Sequence, residues 1–223
     1  MKRTLMISFL VFFVAASAQE QKKNILVIPL SQKNIHLSKK VGRILKNNHV
    51  PPDSLVQYIA HAAREEIKNI FQNYTLQFQD DDTAQFLPDS LYSLKKFNCF
   101  YLDIADSSFR NNYEKSWAKD SYHNLYYGIE LTGFGKEAVN IAILNSQCDY
   151  VLFINQFEIQ ANTPYFSLSC EIADKTLRKI YGNKNEWEAH LLHNLYYDVL
   201  KYYSKKSIRE MLLKAEEYLK TIK

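Results

Sequence analysis

Glycine and proline are scarce in this chain, with 5 of each among 223 residues. An all-β sandwich needs many tight turns, and tight turns are rich in these two residues. Their scarcity therefore argues against a turn-rich all-β fold. A strong net charge is also missing, because 28 basic and 24 acidic residues leave a balance of +4. So mild a charge favours neither a nucleic acid nor an anionic surface as the partner.

Cysteine is scarce as well, and the three thiols, Cys99, Cys148 and Cys170, cannot all pair within one chain. The sequence predicts a hairpin turning near residues 162–164, which places Cys170 opposite about Asn155. Cys148 then lies roughly 23 Å away along the strand, far beyond the reach of a disulfide. A bond from Cys99 to either of the others stays open, but buried free thiols are favoured.

An apolar run of membrane-spanning character is absent outside the N-terminus. There, two basic residues precede an apolar stretch at residues 5–14, and Ala-Ser-Ala follows at 16–18. This pattern predicts a secretory signal peptide over residues 1–18, with Gln19 as the mature start. The apolar stretch is short for a span of about 20 residues, although an uncleaved anchor is the alternative. We expect an exported protein, periplasmic or secreted, without a stable membrane span once the signal is removed.

Apolar periodicity over residues 19–223 predicts a single α/β domain. A buried strand at 24–30, an amphipathic helix capped by Asp53 or Ser54, and a strand at 74–78 imply a right-handed crossover and a parallel pair. The strongest strand prediction covers 148–159, where the first half is uniformly apolar and the second half alternates. We expect a mixed β-sheet, parallel at this crossover, antiparallel in its last three strands, and covered by helices.

The remaining segments are predicted less sharply. In chain order they are a loop with one helical turn at 31–52, a short helix at 91–97, a strand at 99–104, a strand at 126–131, a helix at 136–147, strands at 165–173 and 176–181, and one long helix or a helix pair from Glu186 almost to the end. Residues 105–136 are mostly polar, and a structureless loop of that length indicates a functional segment or a wrong assignment.

Two segments resemble a known family. Residues 25–30 (Ile-Leu-Val-Ile-Pro-Leu) are similar to the ILVIPF opening of a family of exported, uncharacterised proteins of Bacteroidota-type bacteria, and residues 149–159 are similar to its DY-apolar-FINQ-x-E strand. The element order is more distantly similar to the TolB N-terminal domain, the curli-secretion lipoprotein CsgG and the outer-membrane activators of penicillin-binding proteins. Asn155 and Gln156 stand where that wider group tends to have glycine. The resemblance implies a non-enzymatic envelope protein that works through protein contacts or assembly.

The polar end of the 148–159 strand supplies the candidate binding residues Asn155, Gln156 and Glu158. Amide side chains late in an apolar strand need partners, because an unsatisfied buried amide costs about 1–3 kcal/mol. They mark the exit of the strand at the sheet edge, or they face a groove formed with residues 105–136. Tyrosine-rich segments at 122–127 and 196–203 add amphipathic surface suited to protein or glycan contact, or to covering the sheet.

Catalytic and metal-binding patterns are sparse. Glu186, His190 and His193 would share one face of the predicted C-terminal helix, so they are a weak metal-site candidate. The three acids at 80–82 lack the alternating ligands of a calcium loop. Glu158 and Glu171 would form a carboxylate pair if they met across the hairpin.

The leading functional prediction is therefore an exported, non-enzymatic envelope protein that acts by binding a protein partner or by self-association, without a cofactor. The alternative is an exported hydrolase, either metal-dependent or metal-free, with a site near residues 105–136 and the helix carrying His190 and His193. A third possibility is a scaffold that assembles through its C-terminal helix.

Overall fold

The computed structural model of the chain describes residues 22–79, 89–101, 125–160, 165–188 and 196–222. The predicted signal peptide lies outside this part of the chain. Within it, the strands are β1 Asn24–Ile28, β2 Ile35–Leu37, β3 Thr75–Phe78, β4 Tyr92–Asn98, β5 Phe100–Tyr101, β6 Leu125–Leu131, β7 Tyr150–Gln160, β8 Tyr165–Asp174 and β9 Lys179–Glu188. The α-helices are α1 Lys39–Asn47, α2 Pro52–Ile70, α3 Gly133–Ser146 and α4 Tyr197–Thr221.

One mixed sheet organises these elements, in the order β3-β1-β7-β8-β9-β5, with β2 also beside β7. β1 runs parallel to both β3 and β7, whereas β7, β8 and β9 are antiparallel neighbours. The predicted mixed α/β fold is thus confirmed, including the parallel crossover and the antiparallel C-terminal strands. β4 and β6 form a separate two-stranded antiparallel sheet that the sequence did not predict.

Helices α2 and α4 cover one face of the main sheet. Alternate side chains of β7 and β8, such as Leu152, Phe157 and Leu168, point to this side and join a single apolar cluster with both helices. At the helix contact, the buried Glu66 of α2 accepts a 3.0 Å bond from the guanidinium of Arg209 on α4. We call this side of the sheet the helix-covered face.

The opposite face carries a second, smaller apolar cluster. Val151 and Phe153 of β7 pack there with Ile129 of β6 and with Val139 and Ile143 of α3. α3 begins at a Thr132 N-cap, whose hydroxyl accepts a 3.1 Å bond from the Gly135 N–H. Strands β4 and β6 together form a flap that packs over this side, so we call it the flap-covered face.

A β-bulge in the middle of β7 decides which side chains reach each face. Ile154 pairs with Cys170, but the next pair is Gln156 with Ser169, so Asn155 is an extra residue. Ile154 and Phe157 both belong to the helix-side cluster. Asn155 and Gln156 therefore both lie on the flap-covered face, because a bulge sets two residues against one.

The prediction for the start of the C-terminal helix was wrong. β9 continues to Glu188, because it pairs with β8 along its whole length and ends opposite Tyr165. Glu186 is thus a strand residue, and the helix begins at Tyr197 and runs unbroken to Thr221. The preceding turn is also longer than predicted, so β9 begins at Lys179 rather than near residue 176.

Two earlier segments also differ from prediction. Residues 35–37 form a strand, because they pair in parallel with the second half of β7, and the helical turn near residue 39 grows into α1. The helix predicted at 91–97 is instead a 3-10 turn followed by strand β4, whose seven residues all pair with β6. Pairing in the tertiary structure outweighs local propensity here. α2 begins at Pro52 without a side-chain cap, so the predicted Asp53 or Ser54 cap was wrong.

The three cysteines are buried, and none of them forms a disulfide. Cys170 pairs with Ile154, one residue from the predicted position opposite Asn155. This register confirms that the hairpin separates Cys170 from Cys148. Burial raises the pKa of the Cys170 thiol, so it stays neutral and is a poor nucleophile.

Candidate functional site

Strand β6 lies edge-on against the flap-covered face. All seven of its residues pair with β4 along one edge. In an antiparallel strand, successive N–H and C=O groups point to opposite edges. The groups of Tyr127 and Ile129 therefore point away from β4 and toward the main sheet, where a buried backbone group needs a partner.

Four side chains of the main sheet supply those partners. Ser169 Oγ accepts from the Tyr127 N–H at 3.2 Å, and Asn155 Nδ2 donates to the Tyr127 carbonyl at 2.9 Å. Glu171 Oε1 accepts from the Ile129 N–H at 3.1 Å, and Lys179 Nζ donates to the Ile129 carbonyl at 2.7 Å. We call these four residues, Asn155, Ser169, Glu171 and Lys179, the docking row. It satisfies the backbone groups of Tyr127 and Ile129 on the open edge of β6 without a backbone ladder.

Glu171 is the most heavily bonded member of the docking row, and its side chain is 1% exposed. Besides the Ile129 bond, its Oε2 accepts from the Tyr126 hydroxyl at 3.0 Å and lies 3.0 Å from Lys179 Nζ. Lys179 also lies 4.1 Å above the centre of the Phe97 ring in β4. Both carboxylate oxygens are thus already bonded within the protein.

Two glycines make room for this arrangement. A Cβ on Gly182 of β9 would collide with the Tyr126 ring, and a Cβ on Gly128 of β6 would stand 2.8 Å from Glu171 Oε2. Glycine is required at both positions for close approach, since neither has a positive φ. Tyr126 is fully buried in the resulting slot.

Burial is the largest influence on the pKa values of Glu171 and Tyr126. It raises the pKa of Glu171 above its usual 4.5, against the lowering effect of the Lys179 charge and of the three hydrogen-bond donors. The pKa of Tyr126 is raised by burial and by the adjacent Glu171 carboxylate, so the phenol stays protonated and remains a donor. The bonds of Glu171, Tyr126 and Lys179 are therefore arranged to hold β6.

Asn155, Gln156 and Glu158, the predicted binding residues, lie on the same face, but they differ in exposure. Asn155 is fully buried in the docking row, and among the described residues its Oδ1 has no hydrogen-bond partner. Gln156 is 7% exposed. Glu158 is half-buried and accepts a 2.6 Å bond from Gln160. The amides lie in the body of the sheet, not at an exit to its edge.

The candidates for metal binding and hydrolysis fall largely outside the described residues, which exclude His190, His193 and the acids at 80–82. Glu186 lies in β9, so the helical spacing that linked it to the histidines does not apply. Glu158 pairs with Ser167 and Glu171 with Phe153, so the two carboxylates do not meet. Within the part of the chain that the structure covers, no cluster of three metal-ligating side chains occurs.

Sequence reasoning missed the roles of Ser169, Lys179 and Tyr126, and it considered Glu171 only as a carboxylate partner of Glu158. The signal was present in β8, where Ser167, Ser169 and Glu171 alternate with apolar residues. That alternation is typical of a solvated face. Only the position of β6, more than forty residues earlier in the chain, shows that this face is buried.

Helix α3 presents the most apolar exposed surface of any described helix. Its inner side packs on the flap-covered face, yet Phe134 is 77%, Ile141 53% and Leu144 75% exposed on its outer side. Spacings of seven and ten residues from Phe134 bring these three side chains to one side of the helix. We call Phe134, Ile141 and Leu144 the α3 stripe. Exposed apolar side chains grouped on one side of a helix are candidate interaction sites. The exposed Glu137 lies on the same side, between Phe134 and Ile141.

No protein-family model and no curated protein matches the chain. Solved structures that do match include the PelC dodecamer from Paraburkholderia phytofirmans, at 6% identity, a TM-score of 0.39 and coverage of 86% of this chain and 87% of that one. The hypothetical protein CT253 from Chlamydia trachomatis matches at 10% identity and a TM-score of 0.38, over 89% and 98% of the two chains. Lipoprotein GNA1162 from Neisseria meningitidis matches at 10% identity and a TM-score of 0.34, over 84% of this chain and 95% of that one. Scores this low carry no argument about function.

These neighbours include a hypothetical protein and a lipoprotein. Among the described residues, no helix combines the length and apolar character that crossing a membrane requires.

Proposed function

We propose that this chain is an exported, non-enzymatic protein of the cell envelope that acts by binding another protein through the α3 stripe. The observation that carries the proposal is the exposure of Phe134, Ile141 and Leu144 on a helix whose other side is already buried. The signal-peptide pattern at residues 1–18 and the resemblance to exported envelope proteins support export.

The binding mode follows from the chemistry of the surface. The α3 stripe offers apolar side chains around the exposed Glu137, which lies three residues after Phe134 and four before Ile141 on the same side of the helix. It suits a partner face that is apolar and carries a group able to pair with this carboxylate. Glu158 and Gln160, at the far end of β7, are a second candidate contact, since both are only half-buried. Asn155 contributes to binding only indirectly, because it holds β6.

A photo-crosslinking residue placed at position 141 in the native host tests the proposal. We expect an adduct with an envelope protein, and we expect the same partner to be lost from pull-downs with Ile141→Ser/Leu144→Ser protein of unchanged melting temperature. The matched control is position 57, where Gln57 is exposed on α2, on the other side of the sheet.

Three outcomes separate the alternatives. An adduct of twice the chain mass identifies self-association, with a second copy as the partner. Equal adducts at positions 57 and 141, or none at either, would reject the α3 stripe as the binding surface. Retention of the whole protein in the cytoplasmic fraction would reject export.

A further inference from the structure

The β4–β6 sheet is attached to the protein differently from the other strands. The other strands join the main sheet through backbone ladders, namely β1, β2, β3, β5, β8 and β9 with β7 at the centre. β6 is joined through the four side chains of the docking row. We call strands β4 and β6 together the flap. Side-chain bonds of this kind can break without disturbing the ladders beneath them.

The flap also packs against only one of the two apolar clusters. Ile129, Leu94 and Leu131 belong to the flap-side cluster with α3. The larger cluster joins β7, β8, α2 and α4 and contains no flap residue. Removal of the flap therefore leaves the larger core of the protein in place.

Release of the flap recovers hydration that docking removes. Glu171 is almost fully buried, whereas its partner Lys179 is 27% exposed, so opening the flap restores mainly the solvation of the Glu171 carboxyl group. The backbone groups of Tyr127 and Ile129 exchange side-chain partners for water, which makes the net loss per bond small. The opening therefore needs less free energy than the buried apolar area alone would indicate.

We propose that the flap undocks from the main sheet as a unit while the helix-covered face stays folded. Cys99 is the connection at one end, because β4 ends at Asn98 and β5 remains paired with β9 from Phe100 onward. At the other end, Thr132 is bonded to the Leu91 carbonyl, so the flap stays tied to the start of α3. Openings of this kind are the low-free-energy events that native-state hydrogen exchange detects.

Two amide protons report the opening directly. The acceptors of the Tyr127 and Ile129 N–H groups are side chains of the main sheet, whereas the Gly128 N–H between them points to β4. In native-state exchange at low denaturant, we expect Tyr127 and Ile129 to exchange faster than Gly128. We also expect a weaker denaturant dependence for these two than for Leu152 in β7 and Ile172 in β8.

A matched pair of conservative variants makes the test decisive. Ile208→Val in α4 weakens the helix-covered face, so it should accelerate exchange at Leu152 and Ile172 about 5-fold and leave Tyr127 and Ile129 unchanged. Tyr126→Phe removes a hydroxyl bond to Glu171, so it should accelerate Tyr127 and Ile129.

Two results would overturn the proposal. In one, Ile208→Val accelerates Tyr127 and Ile129 by the same factor as Leu152 and Ile172, which means that the flap opens only with the whole protein. In the other, wild-type Tyr127 and Ile129 show the same denaturant dependence as Leu152.

Discussion

The two faces of the main sheet are covered in different ways. Helices α2 and α4 cover one face through apolar contact, and a helix satisfies its own backbone bonds internally. A two-stranded sheet covers the other, and its open edge brings unpaired N–H and C=O groups with it. The underlying face must therefore supply Asn155, Ser169, Glu171 and Lys179 as partners. The comparison shows that the polarity of a buried face follows from what covers it.

A large apolar truncation on the helix-covered face should give the largest effect. Phe157→Ala leaves a cavity beneath the helices, and we expect the free energy of unfolding in urea to fall by about 3–5 kcal/mol. Phe157→Leu, which keeps most of the volume, is the control and should lose about 1 kcal/mol. A loss below about 1 kcal/mol for Phe157→Ala would mean that this face is not the dominant core.

Removal of the central carboxylate tests the flap-covered face. Glu171→Ala leaves Lys179, the Tyr126 hydroxyl and the Ile129 N–H without their hydrogen-bond acceptor. We therefore expect the free energy of unfolding to fall by about 2–3 kcal/mol, and not by more because Lys179 is partly exposed. Glu171→Gln retains the shape and an acceptor, and should lose less. Chemical denaturation followed by circular dichroism measures both. Equal losses for the two variants would show that charge and packing, rather than the directional bonds, hold the flap.

Asn155→Ala should have a smaller effect. The change leaves the Tyr127 carbonyl unpaired, but it also removes the unpaired Oδ1, so we expect a loss of about 1 kcal/mol. Lys175→Ala, in the exposed turn before β9, is the control and should stay within about 0.5 kcal/mol of wild type. If Asn155→Ala is as neutral as the control, the Tyr127 bond does not stabilise the docked flap.

The pH dependence of stability should differ between the faces, because the flap-covered face contains the buried carboxyl group of Glu171. Burial holds the pKa of Glu171 above 4.5 in the folded protein, so the folded state binds a proton more tightly than the unfolded state. The wild type should therefore lose stability relative to Glu171→Gln as the pH rises above 4.5, by about 1.4 kcal/mol for each unit by which the pKa is raised. Denaturation of both proteins between pH 4 and 8 measures the difference. A relative gain for the wild type would show that Lys179 and the other donors outweigh burial.

Strongly periodic segments were predictable because their signal is local. The α2 pattern, the parallel pair around it and the 148–159 strand all lie where expected, since apolar spacing is set by the geometry of each element itself. β2, β4 and the full length of β9 were not predicted, because short or polar strands owe their existence to pairing partners.

The candidate residues also divide into those with a local sequence signal and those that only the tertiary structure reveals. The sequence identified Asn155 and Gln156 as amides that need partners, and Asn155 has one in Tyr127. Glu171 was considered only as a carboxylate that could pair with Glu158, because its alternation with Cys170 and Ile172 has the appearance of a solvated strand. The uniform apolar run before Asn155 also concealed the bulge, because alternation is needed to see a change of face.

The sequence by itself determined the α/β class, the mixed sheet and the apolar stripes of its long helices, because these depend on patterns within one segment. Only the tertiary structure decided that a polar strand face is buried, that two glycines open a slot for Tyr126, and that the outer side of α3 stays apolar and exposed. The physical reason is distance along the chain. The bonds from β6 to Ser169 and Glu171 join residues 42 positions apart, and no local pattern encodes such a partner.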